Sequence, residues 1–275
     1  MPGKLPLFLI AAVLFLLQGA ATAEAATLEG TVTTSDGRAV SGAMVTVFSA
    51  NRMRKETVFT DADGLYLIVT SFDGELTVRA RAPRFADETK KVTVAPNERL
   101  PLDLRVGPFA TEMDRSNALS ASAHLTTLPW RDDDERQPFI AQCNYCHQVG
   151  NPLTRGKRTA QSWKESIQKM EGYMAIVTDA QVERFSEVLA AGFDGEPIAV
   201  VQTYDASPEL ASAKIEEWLV GDGMSFIHDA DVGEDGKLYG VDEGHDVIWI
   251  LDRETNAVEK VALPDSDLPV GGLLS

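Results

Sequence analysis

Cysteine is almost absent from this chain of 275 residues, and its two copies, Cys143 and Cys146, lie three positions apart. With no other cysteine, a disulfide framework is excluded. Histidine is scarce too, with four copies, so beyond the adjacent His147 no nearby ligand completes a zinc site. A local disulfide between the two cysteines is an alternative interpretation. A thioredoxin-like redox pair needs a βαβ pattern, which this sequence lacks.

Long apolar runs are also missing, except at the N-terminus. Lys4 precedes an apolar run at residues 5–17, and small residues follow at 19–23. The run is shorter than the roughly 20 residues of a membrane span. A positive end, a short apolar stretch and an A-x-A site instead predict a signal peptide over residues 1–25, with an uncleaved anchor as the alternative. We therefore expect a periplasmic or secreted protein with no transmembrane segment beyond the signal peptide.

Positive charge is in short supply, with 25 Lys and Arg against 42 Asp and Glu and a net charge of −17. The deficit is concentrated in residues 194–275, which hold 4 basic and 19 acidic residues, a balance of −15. Such acidity argues against binding to nucleic acid or to anionic lipid. The change in composition also predicts that a separate region begins near residue 194.

The two cysteines belong to the pentapeptide Cys143-Asn144-Tyr145-Cys146-His147. C-x-x-C-H is the attachment signature of c-type haem. Two thiols at this spacing can each form a thioether to the porphyrin, and the histidine can bind the iron as its proximal ligand. An export signal agrees with this interpretation, because haem c is attached outside the bacterial cytoplasm. The sequence therefore predicts one covalent haem c with its iron.

Three helices are predicted around this motif, in a domain over residues 132–193. Acidic residues at 132–135 before Pro138 favour a helix start. Thr178 and Gln181 form a capping box at the start of the last helix. Four apolar residues recur at i, i+4, i+7 and i+11 on one face of the helix in between: Trp163, Ile167, Met170 and Met174.

A basic loop at residues 155–158, followed by S-W-x-x-x-I-x-x-M at 162–170, resembles short cytochrome c modules of multidomain oxidoreductases. In those modules the methionine of this helix binds the iron opposite the histidine. The resemblance implies Met170 as the distal ligand, with Met174 as an alternative and a histidine or an open position as the others. The non-functional interpretation of Met170 is a core residue.

Other side chains near the motif have both functional and plain interpretations. Arg155, Lys157 and Arg158 are either partners of the haem propionates or solvated loop residues. His124 lies in a linker predicted over residues 107–131. It is either a distal ligand or, more simply, a solvated linker residue.

Residues 27–106 alternate between apolar and polar, with turns between short stretches, and predict about seven strands in a β-sandwich. The segments G-T-V at 30–32, G-A-M-V-T-V at 42–47 and T-D-A-D-G-L-Y at 60–66 carry a resemblance. They resemble the carboxypeptidase regulatory-like family, which has a prealbumin-like sandwich. The resemblance implies an appended scaffold or binding platform.

Four alternating stretches at residues 228–264 predict an antiparallel meander, the unit of a β-propeller blade. The segments D-G-K-L-Y-G-V-D at 235–242 and I-L-D-R-E-T at 250–255 resemble blades of the streptogramin-lyase-like (virginiamycin B lyase) propellers. One blade cannot close a ring, so we expect residues 194–275 to be a partial propeller in a truncated chain. The catalytic residues of the lyase belong to later blades, and none is expected here.

The expected fold is therefore multidomain: an all-β prealbumin-like sandwich, a small all-α cytochrome c domain, and one blade of an incomplete β-propeller. The function expected from it is electron transfer by an exported c-type cytochrome module, to or from a redox partner protein or a fused dehydrogenase. The alternatives are a streptogramin-lyase-like or ligand-binding propeller with an auxiliary haem domain, and an extracellular interaction protein led by the sandwich.

Overall fold

The computed structural model describes residues 25–145, 147–201 and 206–264. The predicted signal peptide up to residue 24, Cys146, and the last residues of the expected blade, 265–275, lie outside this part. In chain order the described residues form a β-sandwich, a small helical region and a four-stranded antiparallel sheet. None of the helices in these ranges has the length and apolar character needed to cross a bilayer.

Eight strands of the sandwich come from the N-terminal region: β1 (Ala26–Thr34), β2 (Met44–Phe48), β3 (Arg54–Phe59), β4 (Leu65–Thr70), β5 (Gly74–Arg81), β6 (Glu88–Val94), β7 (Arg99–Pro101) and β8 (Leu104–Val106). One sheet has the order β4-β1-β7, with β8 also paired to β1, and the other contains β6-β5-β2-β3. The alternation predicted from sequence is confirmed. In β4, for example, Tyr66 and Ile68 are buried in the core and Leu67 is half exposed.

A ninth strand, β9 (Lys214–Trp218), joins the sandwich from the acidic C-terminal region by pairing antiparallel with β3. Two contacts explain its position. The Lys214 ammonium lies 3.1 Å from the carboxylate of Glu56, whose side chain is almost fully buried. The Arg54 guanidinium lies over the rings of Phe72 and Trp218, at 5.0 and 5.5 Å from their centroids. This differs from the sequence-based assignment of the whole of residues 194–275 to a blade.

The helical region contains α1 (Glu112–Asn117), α2 (Ala121–Leu125), α3 (Asp133–Cys143), α4 (Ala160–Glu171) and α5 (Asp179–Gly192). The predicted capping box at the start of α5 is confirmed, because the Thr178 and Gln181 side chains each bond the backbone of the other residue. One core joins α3, α4 and α5 through buried residues that include Phe139, Ile167 and Phe185.

The segment expected to be a linker, residues 107–131, carries α1 and α2 and contributes Leu125 and Leu128 to the same core. His124 is 3% exposed, and its Nε2 lies 2.9 Å from the carbonyl oxygen of Ser116. Burial lowers the pKa of His124. The prediction of a solvated histidine is therefore wrong, because α2 turns this side chain inward.

Glu135 ties α3 to α5, with its carboxylate 2.7 Å from the guanidinium of Arg184 and bonded also by Arg131. Hydrogen bonds from these two arginines lower the pKa of Glu135 from 4.5 to about 2. Because the folded pKa is the lower one, this stabilisation is present above pH 4.5 and is lost as the pH falls towards 2.

Glu135→Gln is therefore expected to lower the free energy of unfolding by about 1 kcal/mol at pH 7, and by progressively less as the pH approaches 2. Urea unfolding at several pH values measures this difference. The matched control is Glu165→Gln on the exposed side of α4, for which we expect a change within about 0.5 kcal/mol at pH 7. An equal loss for Glu135→Gln at all pH values would contradict the assignment.

The last region is the predicted meander: β10 (Ile227–Val232), β11 (Leu238–Asp242), β12 (Val247–Leu251) and β13 (Val258–Ala262), in that order in one antiparallel sheet. Asp242 organises it from a fully buried position. Its carboxylate accepts hydrogen bonds from the backbone N–H of Phe226 and Gly244 and from the Trp249 indole, at 2.8, 3.0 and 2.8 Å. These bonds outweigh burial and hold the pKa of Asp242 well below its usual range.

Candidate functional site

The C-x-x-C-H motif begins on the last residue of α3, Cys143. The Oδ1 atom of Asn144 then accepts a hydrogen bond of 2.8 Å from the backbone N–H of Val149, which closes a short loop around the motif. Tyr145 and His147 lie in this loop with exposed side chains. Cys146, the second predicted thioether position, is outside the described residues.

Cys143 is half-buried and packs against the helical core, as Ile140 and Val177 also do. Burial raises the pKa of its thiol to about 11. At neutral pH this thiol is therefore protonated, and its sulfur lies at the boundary between the core and the exposed loop. An apolar group bound at this sulfur would contact the helical core on one side.

The connection between α4 and α5 runs past the same end of α3. The backbone N–H of Ile176 donates to the Gln142 side chain at 2.9 Å. Large apolar side chains in this connection, in the motif loop and in the turn that follows it are nonetheless exposed by 64% to 87%: Tyr145, Leu153, Tyr173, Met174 and Ile176. Single exposed apolar residues are ordinary, whereas a contiguous patch of them marks a binding surface.

Met170, the predicted distal ligand, is half-buried on the α4 face that also carries the buried Trp163 and Ile167. Its carbonyl oxygen accepts from the backbone N–H groups of Tyr173 and Ala175 at 2.9 and 3.0 Å, which ends the helix in a tight turn. Met174 follows with a left-handed φ of 71° and is 87% exposed. Both methionines lie near the connection that passes the motif, and the choice between them stays a prediction.

Two indole N–H groups in the helical core, those of Trp130 and Trp163, are buried and have no acceptor within the described ranges. Leaving a buried donor unsatisfied costs about 1–3 kcal/mol, so such groups in a native fold need an explanation. The Trp130 ring packs against the rings of Phe139 and Phe185. The apolar period of the sequence predicted Trp163 on the buried face of its helix. No feature of the sequence indicates that its indole N–H lacks an acceptor among the described residues.

The basic loop before α4 divides into residues with different roles. Arg155 is committed to protein partners, because it donates to the carbonyl of Gly150 and to the Asn117 side chain. Lys157 is exposed. Arg158 lies with its guanidinium 4.6 Å from the centroid of the Trp163 ring and donates to Ser166 at 3.1 Å.

Side chains in the described ranges form no group of three or more His, Cys, Asp and Glu arranged to hold a bare metal ion. Two histidines of the last region lie beside carboxylates instead. His228 lies 3.1 Å from Asp229, and His245 lies 2.9 Å from Asp222. His228 also lies 3.9 Å from Glu243.

Comparison with known proteins identifies the first region. Residues 27–107 match the carboxypeptidase regulatory-like domain family, and they form such a domain. No match was found among the curated proteins.

Similar solved structures include chlorocatechol 1,2-dioxygenase from Pseudomonas putida (13% identity, 30% of this chain, 60% of that chain, TM-score 0.26). They also include the Bacillus anthracis TIE protein (19%, 31%, 17%, 0.27) and GBS52, the minor pilin of the gram-positive pathogen Streptococcus agalactiae (12%, 32%, 46%, 0.28). This chain spans 60% or less of the length of each of these three. Similarity at this level carries no argument about function.

Proposed function

We propose that this chain is an exported c-type cytochrome module that carries one covalent haem and transfers electrons. In it, a carboxypeptidase regulatory-like domain precedes a helical region that bears C-x-x-C-H. The observation that carries the proposal is the motif itself, at the end of a capped helix and beside exposed apolar side chains. The two buried indole donors are consistent with it, because haem propionates are acceptors that the polypeptide does not supply.

The residue roles follow from the chemistry of the donors. Cys143 and Cys146 would form the thioethers and His147 would bind the iron on the proximal side. A bound haem supplies a one-electron iron couple, and a Met/His ligand pair raises its potential. Met170 is our choice for the distal side, with Met174 as the alternative. The core beneath Cys143 excludes water from one side of the site.

The other regions supply the setting for this module. The carboxypeptidase regulatory-like domain serves as a scaffold, and β9 ties it to the chain that follows the helices. We assign the last sheet as one propeller blade. The electron partner is then either a separate redox protein or a propeller dehydrogenase fused to this module. A streptogramin-lyase-like or ligand-binding propeller with an auxiliary haem domain is the second candidate, and it depends on this sheet alone.

The first test is a pyridine haemochrome spectrum of the full chain, produced with its signal peptide in a bacterium that matures c-type cytochromes. We expect one covalent haem per chain, retained after denaturation, in periplasmic or secreted material. Chain that is correctly exported yet has no covalent haem would exclude this function and favour an extracellular interaction protein.

Met170→Ala is expected to remove the weak thioether-to-iron charge-transfer band in the red region of the oxidised spectrum and to lower the midpoint potential, because a soft sulfur ligand favours reduced iron. Met174→Ala is the matched control, since it removes the other methionine at the end of α4 and should leave the band in place. Loss of the band in Met174→Ala alone would move the ligand to that residue.

A further inference from the structure

We propose that the cavity between β9 and the last sheet binds an aromatic carboxylate, a small molecule with a flat apolar ring system and one negative charge. The cavity has a volume of about 790 Å³, within the range of about 300–1,000 Å³ that is usual for ligand pockets. Two tryptophans line it, Trp218 at the end of β9 and Trp249 on β12. None of its lining residues belongs to the helical region, so this proposal does not depend on the proposed function.

Both indole rings are held in place through their N–H groups. Trp218 Nε1 donates to the Asn256 side chain at 3.0 Å, which joins β9 to the turn before β13. Trp249 Nε1 donates to the buried Asp242 at 2.8 Å. Because both donors already have acceptors, the two rings offer a ligand only their apolar surface. Aromatic rings pack well against such surfaces, so the body of the ligand is expected to be aromatic.

The strand register leaves space beside Trp249. Gly240 on β11 lies directly opposite Trp249, and Ala230 on β10 lies opposite Gly240. Residues paired in this way share one face of a sheet, so a row of two small residues leads up to the indole. The next row on the same face is apolar and contains Leu238 and Leu251. These residues all line the cavity, and together they leave room for a flat ring next to Trp249.

Charge in the cavity favours an anion. Four charged side chains line it, and three of them already form ion pairs at 2.8 to 3.1 Å: Lys214 with Glu216 and Glu56, and Glu217 with Lys55. The fourth, Arg253, is exposed and has no ion-pair partner among the residues that the structure describes. Its guanidinium lies 5.9 Å from the centroid of the Trp218 ring. Guanidinium groups bind carboxylates through two parallel hydrogen bonds, so the cavity combines aromatic walls with one free carboxylate-binding group.

The experiment is isothermal titration calorimetry of the full, exported chain with 2-naphthoate, and with 2-naphthamide as a probe that has the same rings and no charge. We expect one site per chain and about tenfold tighter binding of the carboxylate, as for a hydrogen-bonded charge. No binding of 2-naphthoate, or equal affinities for the two probes, would overturn the proposal.

Two charge variants locate the carboxylate. Arg253→Gln is expected to weaken binding of 2-naphthoate about tenfold and to leave binding of 2-naphthamide unchanged. Lys237→Gln is the matched control, because Lys237 is an exposed cation at the start of β11 that does not line the cavity. It should keep the wild-type affinity. Equal losses in the two variants would indicate a general attraction between charges and would contradict a site at Arg253.

A third variant locates the ring. Ala230→Leu adds a larger apolar side chain to the row beside Trp249 and is expected to weaken both probes about tenfold, at a cost of roughly 1–3 kcal/mol for overpacking. Ala230 is exposed, so the fold should survive, and circular dichroism verifies this. Unchanged binding in folded Ala230→Leu would overturn the site. If that variant misfolds, the Arg253→Gln and Lys237→Gln pair decides the question. Haem content is measured separately, so failure here leaves the proposed function standing.

Discussion

The double variant Cys143→Ser, Cys146→Ser is expected to lose covalent haem completely. Each thioether needs a thiol, and both cysteines of the chain lie in this motif, so no other residue can replace them. Denaturing gels stained for haem peroxidase activity and the pyridine haemochrome spectrum both measure the effect. We expect wild-type chain to give one stained band and the double variant to give none at equal protein amounts.

Two single variants make this test specific. Cys143→Ser alone removes the thioether next to the helical core and should leave haem held by one bond, with a shifted haemochrome maximum. Tyr145→Phe lies inside the motif at a position that the signature leaves free, and its side chain is 87% exposed. It should keep full haem content. Loss of haem in Tyr145→Phe would indicate that the loop, and not the thiol chemistry, limits attachment.

Phe185→Ala is expected to produce the largest loss of stability, about 3–5 kcal/mol. The Phe185 ring is 1% exposed and meets the Trp130 and Phe139 rings edge-on, with centroids 5.6 and 5.4 Å away. Its removal opens a cavity where α5 packs against α3. Urea unfolding followed by far-ultraviolet circular dichroism measures the change, with the helical signal lost at lower urea.

The control for this prediction is Phe226→Ala, which removes the same side chain at a position that is 55% exposed. There we expect a change within about 0.5 kcal/mol, as for most surface substitutions. Similar losses for the two variants would show that the helical core does not depend on the aromatic cluster. A stable Phe185→Ala protein that no longer retains haem would instead indicate that this cluster supports the site.

Local signals in the sequence predicted much of the fold. Alternation identified the strands of the sandwich and the last sheet, and Thr178 with Gln181 marked the start of α5. These predictions succeeded because period and capping depend on neighbours within a few residues. His124 failed as a prediction because its burial depends on how α2 packs against the helical core.

The candidate site shows the same division. Its chemistry, two thiols and an imidazole in five residues, can be read without a structure. The exposed side chains near the motif cannot, because Ile176 lies 33 residues after Cys143 in the chain (176 − 143). A bond from its backbone N–H to Gln142 brings it to the end of α3. That the indole N–H of Trp163 has no acceptor among the described residues likewise becomes visible only once its neighbours are placed.

The sequence by itself determined the order of the three regions, the spacing of the C-x-x-C-H motif and the concentration of acidic residues after residue 194, since these depend on residue identity and local period. Only the tertiary structure decided that β9 returns to the sandwich, that Arg155 is committed while Arg158 lies over Trp163, and that apolar side chains beside the motif stay uncovered. The pairing of β9 with β3 and the bond from Arg155 to Asn117 arise from contacts between residues far apart in the chain, where packing and charge pairing outweigh local preference.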